Sequence, residues 1–569
     1  MAPPPELHTW LPWSELSATK PVTVGEFQSV ISKFPRSALL VACARLSILF
    51  KYGPDANTVA SNETVEKLAS QMFPPVLVPR VLTALKQGRV IFFQGQLRYL
   101  AAETMRLTNP HPEDGMTVPD MVLGGILLAA GELLYKPHIN NLPDDLDVMA
   151  NLVADFLPLY EIDSITDPFM PLLRFYIYLT EIIPNLPPNI SNQFNLEEEF
   201  QKVFGFQLKL YYQFVYTFTI HAMNERNDEP AGVPPADGGL PLTWFKKTVL
   251  TTEQVEAMFK TVCCRLEDLP DTKKAIGYAD FEFLKNHPYF LTNDQIYAID
   301  YEYASAKLES GILWRVAMSM NEKRRLTYFG YWGEVFERYV HWLFGTYIDK
   351  KHNAYYPSPV YIGGKDNKPI CDGIMMCGST AVLMEIKLGT VAVKTKYSGE
   401  HALFTKFIED KLVEGTDRPI GVSQLYRAIE QITTGPAEAF PLWLRCVKKI
   451  IPLIITKDDI GSSWMINAYL NARFQQKLVT INKKARKKCK ITPLVCMNVA
   501  TLERCVHILN KAPFSDVLEN RIHEDRILGR PFDMASTMVD RGTPHEVYEH
   551  IKIMEKLSAE VKKDFNLVE

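Results

Sequence analysis

The chain has 569 residues, of which 47% are hydrophobic and 22% are charged, and its formal net charge at pH 7 is −4. This composition is typical of a soluble globular protein that buries large cores, and it excludes an intrinsically disordered chain. The length predicts about two to four domains. Because the total charge is mildly acidic, any nucleic-acid site must come from a local basic cluster rather than from the charge of the whole chain.

Neither the amino terminus nor the cysteine pattern favours export. Met1–Glu6 has neither the basic nor the apolar stretch of a signal peptide. The longest apolar stretches further on are interrupted by polar groups and are too short to span a bilayer. The nine cysteines include no C-x-x-C pair, which argues against a zinc site, and their odd number predicts reduced thiols. We therefore expect a cytoplasmic protein without membrane contact.

Residues 1–226 are predicted to be mostly helical, because their apolar residues recur at helical spacing. The predicted helices lie at Val24 to about Tyr52, Val65–Met72, Val78–Leu85, Met121–Tyr135, Leu146–Leu157, Met170–Ile183 and Leu196–Met223. The segment Arg89–Leu100 favours a hairpin that turns at Gly95. The aromatic cluster from Phe204 to Phe218 is interpreted as a helical core rather than a base-stacking surface, because little positive charge accompanies it.

A stretch rich in proline and glycine occupies residues 227–239 and predicts a domain boundary or a long surface loop. We expect residues 227–319 to form a linker and a mixed, mostly helical region. The charged segment Asn321–Arg325 follows, and it is interpreted as a solvated helix end rather than as a phosphate contact.

The most informative stretch of the chain begins with a predicted helix, Gly333–Phe344, on which Glu337 lies four residues after Gly333. We expect Gly333 to leave room for a sheet to approach the helix. Glu334 is expected to be a first-turn charge that favours the helix dipole. Glu337 is then the carboxylate that faces the sheet.

Two apolar runs follow this helix, Ile370–Met376 and Ala381–Lys387, and the segment Cys377–Thr380 between them has the composition of a turn. They predict a β-hairpin that carries Asp372 on its first strand and Glu385 on its second.

Alternation along the second strand places Glu385 and Lys387 on one face, and pairing across the hairpin brings Asp372 next to them. Two carboxylates and an ammonium would then meet, which is costly in a core unless something compensates the carboxylates. A hard divalent cation, Mg²⁺ or Mn²⁺, with oxygen ligands does so. The predicted chemistry is hydrolysis of a phosphodiester by a metal-held water that Lys387 orients or activates.

This pattern resembles the core of the PD-(D/E)XK nuclease superfamily, which includes restriction endonucleases, RecB-like nucleases and archaeal Holliday-junction resolvases. In that family a helix with a glutamate precedes an aspartate on one strand and E-x-K on the next. Glu337, Asp372, Glu385 and Lys387 stand at the matching positions. The family's proline is absent, because Cys371 precedes Asp372, at a position that many members relax. The resemblance covers the carboxyl-terminal part of the chain only.

The resemblance implies a role for each residue of the motif. Asp372 and Glu385 would hold the metal, with the carbonyl of Ile386 as a further ligand and Glu337 binding directly or through water. Lys387 would position the attacking water.

The predicted elements around the motif also follow the family's order of helix, three strands, helix and strand. A first strand is predicted near Tyr355–Ile362, a second helix at about Gly421–Thr434, and further strands at Ile450–Thr456 and Thr492–Met497. RecB-like members carry a glutamine on the second helix, and Gln424 is the candidate here. The tyrosine that follows it stands closer than in their motif, which weakens the correspondence.

A dense basic run near the carboxyl terminus is the candidate nucleic-acid contact. It consists of Lys483, Lys484, Arg486, Lys487, Lys488 and Lys490. Contact with phosphates and a solvated helix end both account for such a run, and the sequence leaves the two open.

Together these features predict a fold of class α + α/β, with a large, mostly helical amino-terminal region before a restriction-endonuclease-like α/β core that has a central mixed sheet. The expected divisions are residues 1–226, 227–319, 320–512 for the nuclease-like domain, and 513–569 for a charged helical tail.

The expected function is metal-dependent cleavage of nucleic acid, with DNA favoured and RNA left open. The helical region would recognise a protein partner or trigger, and large fusions of this kind resemble bacterial defence nucleases. The alternative is a binding or scaffold protein in which a degenerate nuclease fold grips nucleic acid without cutting it. The sequence does not decide the oligomeric state.

Overall fold

Most of the chain is described by the computed structural model. The described residues are 11–52, 62–87, 89, 91–107, 117–134, 169–191, 193–227, 239–248, 250–269, 281–292, 294–348, 350–361, 369–391, 395, 401–415, 419–462, 464–481, 489–505, 509, 511–524 and 548–564. They are 65% helical and form two mixed sheets, so the expected combination of helical and α/β structure is confirmed at this coarse level.

The first part of the chain is helical, as predicted. Its helices are Trp13–Ser17, Val24–Ile31, Arg36–Tyr52, Asn62–Met72, Val78–Lys86, Gln94–Arg106 and Asp120–Leu134. They bury their apolar faces in one core, in which Leu40, Leu100 and Leu127 are fully buried. Most of the stability of such helices comes from this packing rather than from intrinsic helix propensity.

The hairpin expected to turn at Gly95 is wrong, because Gln94–Arg106 is a helix. The reason lies in distant contacts. The buried guanidinium of Arg98 lies 2.6 Å from the carboxylate of Asp300. The side chain of Gln94 donates to the same carboxylate at 2.8 Å. In the helical conformation these buried polar groups have partners. The partner Asp300 lies far away in the sequence, so the local alternation of apolar and polar residues could not indicate it.

A second group of helices follows. It comprises Phe169–Ile177, a wider turn that continues it to Ile182, Pro188–Ser191, Leu196–Phe204 and Leu208–Asn227. The single helix expected at Leu196–Met223 is two helices, because Gly205 adopts a left-handed conformation (φ 79°) that ends the first one. The aromatic residues between Phe204 and Phe218 are buried in the core, as predicted. The helix predicted at Leu146–Leu157 lies outside the described residues.

A small sheet that sequence patterns did not predict lies between residues 239 and 298. Its strands are β1 (Gly239–Pro241), β2 (Cys263–Cys264), β3 (Tyr289–Leu291) and β4 (Gln295–Ala298), in the spatial order β1-β4-β3-β2. The helices near it are Thr252–Val262, Glu282–Asn286, Tyr301–Ala306 and Ile312–Met318. These strands are too short to show a period of two, and β1 pairs with β4 although two α-helices and the other two strands lie between them in the chain.

The second sheet carries the candidate site. Its strands are β5 (Ala354–Pro357), β6 (Gly373–Cys377), β7 (Thr380–Lys387), β8 (Lys449–Thr456), β9 (Lys490–Ile491) and β10 (Val495–Asn498). The order is β10-β8-β7-β6-β5, with β9 also beside β8. β5, β6 and β7 are antiparallel neighbours, whereas β7, β8 and β10 run parallel. The predicted strands at Ile450–Thr456 and Thr492–Met497 are confirmed within a few residues.

Helices cover both faces of this sheet. They are Glu322–Tyr347, which we call the long helix, His401–Ile408, Gly421–Thr434, Leu442–Arg445, Trp464–Leu478, Val499–Cys505 and Phe514–Glu524. The last helix, Tyr548–Asp564, packs against Phe169–Ile177. Met384 and Ile386 of β7 pack in the same core as the long helix. Leu383, on the opposite face, packs in the core of the Gly421–Thr434 helix. Such alternate burial follows from the period of two along a strand.

One core extends across the boundary expected at residue 320. Its buried members include Tyr178 and Leu313 before that point and Phe336, Met384 and Val561 after it. The packing of the described residues therefore does not separate there, and the carboxyl-terminal helices contribute to the same core.

Candidate functional site

Asp372 and Glu385 lie opposite each other on the β6–β7 hairpin. Gly373 pairs with Met384, so the next position outward sets Asp372 against Glu385. The predicted hairpin is thus present, although β6 begins one residue after Asp372 rather than including it. The carboxylate of Asp372 accepts the backbone N–H of Ile386 at 2.8 Å, which anchors it to β7.

The ammonium of Lys387 lies between the two carboxylates. Its Nζ is 3.1 Å from Oδ2 of Asp372 and 2.6 Å from Oε2 of Glu385. The exposed fractions of the three side chains are 20% for Lys387, 14% for Asp372 and 0% for Glu385. The structure therefore brings together the three residues of the predicted motif, at the end of the hairpin that reaches solvent.

Glu385 is the carboxyl group of the site whose pKa is raised. Burial raises the pKa of its carboxyl well above the usual value; the charge of Lys387 opposes this shift and that of Asp372 adds to it. Both oxygens are buried, and neither has a partner with hydrogen-bond geometry among the described residues, in spite of the close ion pair with Lys387. A carboxylate of this kind is costly unless a further positive charge reaches it.

At Lys387, burial and the neighbouring charges shift the pKa in opposite directions. Burial alone lowers the pKa of a lysine, but the carboxylates of Glu385 and Asp372 outweigh that effect, and the pKa of Lys387 lies above its ordinary value. The ammonium therefore stays charged at neutral pH.

The helix expected to start at Gly333 begins at Glu322, where the side chain of Asn321 accepts the N–H of Arg324 at 3.0 Å. The charged segment Asn321–Arg325 is thus the cap and first turn of this helix, consistent with the predicted helix end. Glu334 is not a first-turn charge, because it lies in mid-helix and pairs with Arg338 at 2.8 Å.

The argument that Gly333 leaves room for the sheet is also wrong. A Cβ atom at Gly333 would have nothing within 4 Å. The approach of the helix to the sheet is instead made by the buried side chains of Phe336 and Val340.

Glu337 lies near the hairpin through Ser358. The hydroxyl of Ser358 is 3.3 Å from Oε1 of Glu337 and 3.4 Å from the carbonyl oxygen of Asp372. The same Glu337 oxygen lies 3.3 Å from Nε2 of His341, one turn further along the long helix. Nδ1 of His341 is in turn 2.5 Å from the hydroxyl of Tyr355 on β5.

Sequence reasoning missed Ser358, His341 and Tyr355. One signal was available for His341, since it stands four residues after Glu337 and so shares its helix face. Ser358 and Tyr355 offered none, because their nearness to Glu337 depends on how β5 docks beside β6.

The remaining sequence candidates lie elsewhere. The side-chain oxygen of Gln424 accepts the N–H of Gly421 at 3.0 Å, which gives it a role at the start of its own helix. Of the basic run, Lys490 lies exposed on β9. The other five residues of the run, Lys483, Lys484, Arg486, Lys487 and Lys488, fall outside the described residues.

The described residues contain no group of three or more His, Cys, Asp or Glu side chains arranged to hold a metal ion. Nor does any helix in the described stretches have the length and apolarity needed to cross a membrane. Comparison with family models, with curated proteins and with solved structures gives no significant match for this chain.

Proposed function

We propose that the protein is a metal-dependent nuclease that hydrolyses phosphodiester bonds of nucleic acid, with DNA as the expected substrate. One observation carries the proposal: Asp372, Glu385 and Lys387 converge at one end of the β6–β7 hairpin, although it is costly to gather carboxylates and an ammonium where they are mostly buried. Perturbed titratable groups of this kind concentrate at functional sites.

The residues present fit a hard divalent cation. Glu385 offers two buried oxygens, of which only Oε2 lies close to the ammonium of Lys387, and Asp372 adds a carboxylate that β7 holds in place. Oxygen ligands are those that Mg²⁺ and Mn²⁺ prefer. Asp372 and Glu385 would hold the cation, with the carbonyl of Ile386 and the carboxylate of Glu337 as the further ligands that the family resemblance implies.

A bound divalent cation would supply Lewis-acid activation of the phosphodiester and of the attacking water. The protein groups have separate tasks. The ammonium of Lys387 is charged and partly exposed, so it can donate hydrogen bonds to a water or to a phosphate oxygen and orient it. Asp372 fixes the position of that ammonium through the 3.1 Å contact.

The order of elements supports the same proposal. The long helix, the antiparallel β5, β6 and β7, the helix Gly421–Thr434 and the parallel β8 follow one another as in a restriction-endonuclease-like core. The function rests on the site, since a fold by itself does not define a reaction.

The second candidate is a binding protein that grips nucleic acid without cutting it. The observation in its favour is that Lys387 itself lies against both carboxylates and partly neutralises them without a metal. Metal dependence separates the two candidates.

The decisive experiment incubates the purified full chain with plasmid, linear and single-stranded DNA and with RNA, with EDTA, Mg²⁺ or Mn²⁺. A nuclease cleaves at least one substrate only when a divalent ion is present, and Asp372→Asn abolishes that cleavage. Binding that persists in EDTA, without cleavage under any condition, would establish the alternative instead.

A further inference from the structure

Oε1 of Glu337 has hydrogen-bond contacts with two side chains from different elements. The hydroxyl of Ser358 donates to it from the segment after β5, and the ring of His341 approaches it from the long helix, both at 3.3 Å. Among the described residues no protein group hydrogen-bonds to the second oxygen, Oε2, and the side chain of Glu337 is 26% exposed. The carboxylate is therefore held at one oxygen and open at the other.

The carboxylate of Glu337 decides which nitrogen of His341 donates to it. A carboxylate oxygen only accepts, so the ring nitrogen that lies 3.3 Å from it, Nε2, is the donor. On the other side of the ring, Nδ1 lies 2.5 Å from the hydroxyl of Tyr355. Tyr355 therefore holds the ring in the orientation that presents Nε2–H to Glu337.

The backbone around Ser358 is unusual. Ser358 has a positive φ of 40°, a region that side chains other than glycine seldom adopt. Its N–H donates to the carbonyl of Asp372 at 2.9 Å, which holds the strained residue beside the hairpin. This conformation places the hydroxyl between Asp372 and Glu337.

Gly373 leaves room for the side chain of Tyr355. A Cβ atom there would lie 2.7 Å from the hydroxyl oxygen of Tyr355. The glycine directly after Asp372 thus allows the Tyr355 hydroxyl to lie against the hairpin and still reach His341.

We propose that Ser358, His341 and Tyr355 form a positioning arc that fixes Oε1 of Glu337 and leaves its other oxygen to bind, directly or through water, the divalent cation held by Asp372 and Glu385. This inference rests on the proposed function. None of the three residues touches the reacting atoms, so they are positioning residues. Partners of metal ligands often act in this way, and their loss commonly weakens metal affinity or activity by about 10- to 100-fold.

A purely structural role would also explain the arc, since it joins the long helix to β5. The two roles predict different effects when a single hydroxyl group is removed by substitution. Loss of a structural contact lowers stability alike with and without metal, whereas loss of a positioning contact raises the metal concentration needed for binding.

The test uses two matched pairs in the full chain. Tyr355→Phe removes one hydroxyl, and its control is Tyr356→Phe, the next residue of β5, whose ring stacks on Trp443. Ser358→Gly removes the hydroxyl and tolerates the positive φ, whereas Ser358→Ala removes the same hydroxyl and keeps the strain. Mn²⁺ binding is measured by titration calorimetry without nucleic acid, the half-activating Mn²⁺ concentration by plasmid cleavage, and stability by thermal unfolding in EDTA.

The inference predicts that Tyr355→Phe and Ser358→Gly weaken Mn²⁺ binding and raise the half-activating concentration by about tenfold or more, and that saturating Mn²⁺ restores most of the cleavage rate. Tyr356→Phe leaves both unchanged. If the parent cleaves and both variants bind Mn²⁺ as Tyr356→Phe does, the arc is only structural and the nuclease proposal stands. If the parent neither cleaves nor binds Mn²⁺, the nuclease proposal fails and this inference with it.

Discussion

The backbone N–H of Lys457 donates to the carbonyl of Lys387 at 3.2 Å, where β8 ends beside β7. The ammonium of Lys457 is buried and donates to the hydroxyl of Ser310 at 3.0 Å. Ser310 precedes the long helix, so Lys457 joins the strand that carries the candidate lysine to the region before residue 320. The region between residues 227 and 319 therefore contacts the scaffold of the site itself.

A buried charge network extends this connection. Arg174 lies 2.6 Å from Glu309 and 2.7 Å from Glu503, and the hydroxyl of Tyr339 on the long helix donates to Glu503 at 2.7 Å. Because the charged groups are buried, each of them depends on its partners. The network ties three distant parts of the chain together.

The first prediction concerns Arg174→Met. This variant leaves Glu309 and Glu503 buried without their guanidinium, and we expect it to lower the free energy of unfolding by about 3–5 kcal/mol. The control is Lys406→Met, which breaks an exposed pair with Asp410 and should cost less than about 1 kcal/mol. Denaturant unfolding measures both. Equal midpoints for the two variants would show that the network adds nothing to stability.

The second prediction concerns the three site residues. Asp372→Asn, Glu385→Gln and Lys387→Met should each abolish plasmid cleavage, and any two together should lose no more than one alone, because the groups act as a unit. The control is Lys449→Met on the neighbouring strand, whose ammonium pairs with Glu519. A Lys387→Met enzyme that cuts at the parental rate would contradict the assigned role of the lysine.

The third prediction concerns pH. The folded pKa of Glu385 lies above its unfolded value of 4.5, mainly because of burial. The folded state therefore holds this proton more tightly, so the contribution of Glu385 to stability is greatest below the unfolded pKa and is lost as the pH rises towards the folded one. In EDTA, Glu385→Gln should gain stability relative to the parent as the pH rises from about 4 to 8. A difference in melting temperature between parent and Glu385→Gln that stays constant over that pH range would contradict the raised pKa of Glu385.

The fourth prediction concerns the same proton. If Glu385 is protonated in the metal-free protein at neutral pH, binding of Mn²⁺ should release about one proton, because ligands must be deprotonated. Calorimetry in two buffers of different ionisation enthalpy measures this number. Glu385→Gln should release none, and equal release from parent and variant would assign the proton to another group.

The fifth prediction compares two glycines. Gly333→Ala should stabilise the protein by up to about 1 kcal/mol, because the site is open and alanine favours a helix. Gly421→Ala should destabilise it by about 3 kcal/mol or more, since φ is 46° there and a Cβ would lie 2.0 Å from the carbonyl oxygen of Leu412. Denaturant unfolding separates the two signs. Loss of stability in Gly333→Ala would restore the idea of a close approach at that residue.

The β6–β7 hairpin and its three charged residues could be predicted from the sequence alone. The two strands are adjacent in the chain, and a period of two places Glu385 and Lys387 on one face whatever the rest of the protein does. The helix Gly421–Thr434 was predictable for a similar reason, because its period of 3.6 is a local property.

Only the tertiary structure decided the rest. The helix around Gly95 and the small sheet depend on partners far away in the sequence. The contacts of Glu337 with Ser358 and His341 depend on how the long helix and β5 dock beside Asp372. Hydrophobic periodicity determines which face of an element is buried, but it carries no information about which other element packs against that face. The geometry of the candidate site depends on this packing, which only the tertiary structure provides.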